Sequence, residues 1–157
     1  MLTPYLENEV KTNGSQSLDF RFWMEILRMT SALQKVRQKE LRKLGVTVME
    51  ASIIFEVGQS VNSISPSGVS KNLIQEAHAV SQLLVKMENQ GLLRRNKDLP
   101  RRNMIRLELT DQGKNILQES KKIKSIFPIL AALTDKEKER LIKDFEKLRE
   151  KATHNSK

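Results

Sequence analysis

Five polar side chains, His78, Ser81, Gln82, Lys86 and Asn89, recur along one side of the segment His78 to Gly91. At helical spacing they share a face, while Val80, Leu83, Leu84 and Met87 fall at i, i+3, i+4 and i+7 on the other and make an apolar stripe. Imidazole, hydroxyl, amide and ammonium groups projected from one helix can exchange hydrogen bonds with base edges, because each base pair shows a distinct pattern in the major groove. A polar outer face is also what an ordinary surface helix shows, so its neighbours in the chain have to decide between the two. Immediately downstream, Arg94, Arg95, Lys97, Arg101, Arg102 and Arg106 face only one acid, Asp98. That segment carries a net +5 of the chain's +9, enough to neutralise several phosphates and release their counterions.

The elements that must hold these groups follow from capping and periodicity. Ser65-Pro66-Ser67 predicts a helix start: Ser65 caps free amides, Pro66 suits the first turn, and Ser65 and Ser67 stand where a phosphate would meet the helix end. That helix is expected to run through Val69 and Leu73 to about Gln75, with a bend at Glu76 and Ala77 leading into the polar-faced helix. Gly91 is placed to end the second helix in a left-handed conformation. Leu92 and Leu93 open a strand, and Ile105, Leu107 and Leu109 alternate with Arg106 and Glu108 to give its return partner. Two short helices followed by a basic β-hairpin form a winged helix-turn-helix, in which His78, Ser81, Gln82 and Lys86 read bases and Ser65, Ser67, Arg94, Arg95, Lys97, Arg101 and Arg102 meet phosphates.

Three stretches, Leu44-Gly-Val-Thr-Val-Met-Glu, Val80-Ser-Gln-Leu-Leu-Val-Lys-Met-Glu-Asn-Gln-Gly-Leu-Leu and Leu107-Glu-Leu-Thr-Asp-Gln-Gly-Lys, resemble the MarR family of winged-helix transcription regulators, as does the closing Leu133-Thr-Asp-Lys-Glu-Lys-Glu-Arg-Leu. The resemblance implies a mainly α (α+β) fold: a winged helix-turn-helix domain over residues 45–110, and a helical dimerisation region made of residues 18–44 and 111–153. A polar arm (1–17) and a polar tail (154–157) would flank them. It further implies a homodimer on a pseudo-palindromic operator in double-stranded DNA, acting as a repressor and released by a small aromatic or anionic effector whose binding residues are unassigned. The alternative is a winged-helix protein-interaction module without DNA binding. One departure stands out. Wings of this family carry Asp-x-Arg before the second strand, and the positions here read Arg101-Arg102-Asn103, so the acid brace and the minor-groove arginine are both missing in register.

The remaining segments are consistent with these expectations. Phe20, Trp23, Met24, Leu27, Leu33, Val36 and Leu41 recur at helical spacing, which serves a core helix or a dimer seam equally, and the resemblance implies the seam. Thr47-x-x-Glu50 and Thr134-x-x-Glu137 are capping boxes, the first opening a helix from Val48 to Val57. Ile116, Leu117, Ile123, Ile126 and Phe127 continue a helix that Pro128 should break or bend, and Leu141, Ile142, Phe145 and Leu148 line a last amphipathic helix. Gly45, Gly91 and Gly113 are expected at helix ends or turns and Gly58 in the loop after the second helix. The length, 157 residues, suits one domain with appendages. No cysteine is present, which excludes thiol-based oxidant sensing and cysteine-ligated zinc. With only His78 and His154, no glycine-rich phosphate loop and no nucleophile elbow, the chain reads as a non-enzyme without cofactor or metal. No run of 18 apolar residues and no basic-then-apolar leader is present, so the expectation is a cytoplasmic protein without a membrane partner.

Overall fold

The computed structural model describes residues 4–61, 63–97 and 105–154. Helix α1 (Pro4–Leu41) starts well upstream of Leu18, where the polar arm was expected to end. Pro4 suits a first helical turn and the next proline is Pro66, so nothing in the covalent chain stops the helix earlier. A single 3-10 turn, Arg42–Leu44, then closes on Gly45 at φ 74°, where a Cβ would be penalised.

Helix α2 (Val48–Gln59) opens with the expected capping box: the Thr47 hydroxyl accepts from the Glu50 amide at 3.2 Å and the Glu50 carboxylate accepts from the Thr47 amide at 2.7 Å. It runs beyond Val57, so Gly58 lies inside the helix and not in a loop. The reason is tertiary. A Cβ built on Gly58 would sit 2.4 Å from Leu117 Cδ2, so glycine allows α5 (Asp111–Lys121) to approach α2 closely. Gly113, in the first turn of α5, has a similar role, since its Cβ would fall 2.1 Å from the carbonyl oxygen of Leu92.

Helices α3 (Pro66–Leu73) and α4 (Ala77–Asn89) are followed by strands β1 (Leu93–Lys97) and β2 (Ile105–Leu109). The strands are antiparallel, with Leu93 opposite Leu109, Arg95 opposite Leu107 and Lys97 opposite Ile105. Ile64 adds a one-residue bridge to Leu107, whose amide donates to the Ile64 carbonyl at 2.9 Å. A third backbone segment thus ties the hairpin to the residue just before α3. One core holds these pieces: Leu41 from α1, Ile53 and Ile54 from α2, Val69 from α3, Val80, Leu84 and Met87 from α4, and Leu93 and Leu107 from the hairpin, all fully buried. Burying each such side chain contributes about 1.5–3 kcal/mol.

The residues up to Lys122 form one compact unit and those from Ile123 a second. Helix α5 ends at Lys121 and Ile123 takes φ 39°, so the helix breaks before Pro128 and not at it. Pro128 instead occupies the first turn of the four-residue α6 (Phe127–Leu130), where a missing N–H costs nothing. Helix α7 (Asp135–His154) begins with the second capping box, the Thr134 amide and hydroxyl donating to Glu137 at 2.8 and 2.7 Å. Its apolar row Leu141, Ile142, Phe145 and Leu148 is exposed, as are Leu18, Phe20, Phe22 and Trp23 on α1.

Candidate nucleic-acid interface

The helix-turn-helix is held at its start by Ser65. Its hydroxyl accepts from the Gly68 amide at 3.1 Å and lies 2.9 Å from the Ser67 hydroxyl, so Ser65 caps α3 as its sequence position predicts. Gly68 lies close to Ile64: a Cβ there would meet Ile64 Cγ1 at 2.7 Å, and the contact seats α3 against the strand bridge. The helix stops at Leu73, two residues short of the expected end, because Ile74 turns left-handed at φ 53° and ψ 47°. Ile74 donates to Lys71, and Gln75 donates to the Ser70 carbonyl at 2.9 Å, which closes the orphan carbonyls of the helix end. A β-branched side chain is strained in that region and Ile74 is itself exposed, so the backbone bonds that close the helix end, and not local preference, hold the turn.

Along α4 the described face agrees with the expected one. Val80, Leu84 and Met87 are buried; His78, Ser81, Gln82 and Lys86 are exposed and lie on the side away from the core. One member of that exposed face, Val85, was assigned neither to the apolar stripe nor to the polar face, because only polar side chains were counted as the outer face. The signal was present in the spacing: Val85 is seven residues after His78 and three after Gln82.

Lys86 has a partner within the protein. Its ammonium lies 2.8 Å from Glu50 Oε1, and the Glu50 side chain is only 1% exposed. Burial acts to raise the pKa of Glu50, but the Lys86 ammonium and the hydrogen bonds from the Thr47 amide and hydroxyl outweigh it and hold the carboxyl below its ordinary value. The same carboxylate therefore caps α2 and anchors α4. One step further back, the Gln38 side chain of α1 accepts from the Val48 amide at 3.0 Å and donates to the Val46 carbonyl at 3.3 Å. Polar contacts thus connect α1 to the start of α2 and, through Glu50, to the helix that carries the exposed polar face.

Arg95 is likewise engaged. Its guanidinium donates to the Ser81 carbonyl at 3.3 Å and pairs with Glu88 at 3.3 Å, while its amide donates to Glu88 Oε1, so it braces β1 against α4. Arg94 and Lys97 are exposed on β1, and Arg106 on β2 donates to the Ser63 hydroxyl at 3.2 Å. Arg101 and Arg102 lie outside the described residues. At the hairpin base, Thr110 donates through its hydroxyl to the Gly91 carbonyl at 2.6 Å and accepts from the Gly113 amide at 3.1 Å, which fixes the hairpin to α5. Gly91 has the expected left-handed φ of 71°. The site therefore presents an exposed polar helix face and a cationic hairpin in one rigidly cross-linked unit. Among the described residues no helix is long and apolar enough to cross a membrane.

Comparison with solved structures assigns the fold. The chain is similar to AbsC, a MarR family transcriptional regulator from Streptomyces coelicolor, with a TM-score of 0.77 at 19% identity over 89% of this chain and 95% of that one. It is similar to the organohalide-sensing transcriptional regulator RdhR-CbdbA1625, with a TM-score of 0.75 at 24% identity over 85% and 80% of the two chains; that protein is known ligand-free and bound to 2,4-dichlorophenol. It is also similar to MepR from S. aureus in complex with DNA, with a TM-score of 0.72 at 17% identity over 82% and 97%. No protein-family model matches the sequence, and no curated protein matches it.

Proposed function

Given a chain with the winged-helix fold of MarR-family regulators, we propose that it is a transcription regulator that reads double-stranded DNA. The observation that carries this reading is the exposed face of α4, His78, Ser81, Gln82 and Asn89, held beside a hairpin whose Arg94 and Lys97 are exposed. In this reading α4 enters the major groove, with Gln82 suited to the N6 and N7 of adenine and His78 and Ser81 to neighbouring edges. Ser67, Arg94, Lys97, Arg101 and Arg102 neutralise or bond phosphates. Lys86 and Arg95 keep their internal partners and set the angle at which α4 and the hairpin meet the duplex, and Ser65 acts through the α3 cap.

The protein acts as a homodimer on a pseudo-palindromic operator. Support comes from the exposed apolar rows at both ends of the chain, Leu18, Phe20, Phe22 and Trp23 on α1 and Leu141, Ile142, Phe145 and Leu148 on α7, which a monomer would leave in water. Residues 18–44 and 111–153 form the dimerisation region, and residues 45–110 the DNA-binding domain. Binding represses, and a small aromatic or anionic effector relieves it; the dichlorophenol complex of RdhR-CbdbA1625 supports an aromatic effector. The test is selection of binding sites from a random duplex pool with the full-length protein. A two-fold symmetric consensus is the expected result, and a folded dimer that enriches no sequence would point to a protein-interaction module.

A further inference from the structure

On the reading that α4 enters the major groove, we infer that Val85 is a specificity-determining residue that reads the methyl group of a thymine. Val85 is 46% exposed, although it is an apolar residue on a helix whose buried stripe is already complete with Val80, Leu84 and Met87. At 100° per residue it falls between Ser81 and Asn89, next to His78 and Gln82, near the middle of the exposed face and not on its edge. The other residues close around it on this face are polar. A major-groove edge offers donors and acceptors for such residues, and one apolar group, the C5 methyl of thymine.

The side chain is suited to that contact. A β-branched residue on a helix is held largely in one χ1 rotamer, so its two methyl groups present a fixed surface and lose little freedom on contact. Valine is also a weaker helix former than alanine, so helix formation alone does not account for it at an exposed position. Three residues advance about 4.5 Å along a helix axis, little more than one base-pair step of about 3.4 Å. The thymine read by Val85 therefore belongs to the base pair next to the one that Gln82 contacts. The basic hairpin on the same unit supplies the phosphate attraction that brings this face to a duplex.

The experiment uses the consensus duplex obtained from the random pool and replaces each dT singly by dU, which removes only the methyl group. Equilibrium binding is measured for the wild-type protein, Val85→Ala and Val85→Thr. At one thymine in each half-site, dU should weaken wild-type binding about fourfold, the value of one buried methyl. Val85→Ala should show no dU penalty there, and Val85→Thr, which keeps one γ-methyl, should retain part of it. Unchanged far-ultraviolet circular dichroism of both variants accompanies this result. A dU penalty of the same size in wild type and Val85→Ala at every position overturns the assignment of Val85 while leaving base reading intact. A pool that yields no consensus overturns base reading by α4 and this assignment with it.

Discussion

Replacing Lys86 by methionine removes the ammonium from Glu50 while keeping the aliphatic stem. The Glu50 carboxylate would retain its two bonds from Thr47, at 2.7 and 3.0 Å, but its Oε1, which Lys86 approaches to 2.8 Å, would be left buried and charged without a partner. Leaving a buried acceptor unsatisfied costs about 1–3 kcal/mol, and a charged one more. The Lys86 side chain is 54% exposed, so water already screens part of the attraction and the lower half of that range applies, about 1–2 kcal/mol. The pH dependence identifies the source. Because the folded pKa of Glu50 is lowered, its contribution is complete above the ordinary glutamate value of about 4.3 and is lost as pH falls through the lower folded value. Without Lys86, burial is opposed only by Thr47 and the folded pKa rises. Urea unfolding of wild type and Lys86→Met at about pH 7 and at about pH 4 should therefore give a stability difference that shrinks with acidification. The double variant with Glu50→Gln should cost less than the sum of the single ones, since each removes the same contact. A Lys86→Met protein as stable as wild type at neutral pH, or a difference that does not change with pH, would show that Lys86 does not stabilise the buried Glu50 carboxylate.

Further outcomes follow from the close approaches and from the proposed interface. Gly113→Ala drives a Cβ against the Leu92 carbonyl and should cost about 3 kcal/mol or more, whereas Gly58→Ala meets the flexible end of Leu117 and should cost about 1 kcal/mol, both read from urea midpoints. Gln82→Ala should lose about 1–3 kcal/mol on the selected operator and almost nothing on random duplex; equal losses would place Gln82 off the base-reading surface. Arg101→Ala and Arg102→Ala should each reduce the slope of log affinity against log salt by about one per contact removed, on operator and random DNA alike. Loss of discrimination at an unchanged slope would instead mean that one of these arginines reads the groove.

Local signals in the chain specified their own structure. Both capping boxes formed, and Gly91 took the left-handed turn, because each depends on residues within three or four positions of one another. The apolar stripe of α4 was legible from periodicity alone, and so was the polar face opposite it. What sequence did not disclose depends on distant partners. Gly58 reads as a loop residue until Leu117, 59 positions away, is seen against it. Lys86 and Glu50 are 36 positions apart, and no local pattern marks a cation on an exposed face as the anchor of a buried acid. Arg95 looked like one more charge in a basic run, and only the fold of the hairpin onto α4 gives it Glu88 and the Ser81 carbonyl. Ile74 carries no sequence signal for a left-handed turn, since its side chain disfavours one. The break after Lys121 was displaced toward Pro128 for a related reason: proline is compatible with a first helical turn as well as with a helix end.

The proposed function rests on α4 reading base sequence in duplex DNA while the hairpin and its surroundings supply phosphate charge. Fluorescence anisotropy with a labelled consensus duplex and a scrambled duplex of the same composition, each at two salt concentrations, tests it most directly. A preference for the consensus of about a thousandfold or more is expected, with affinity for both duplexes falling steeply as salt rises. Equal affinity for the two duplexes, or binding that is insensitive to salt, would contradict it.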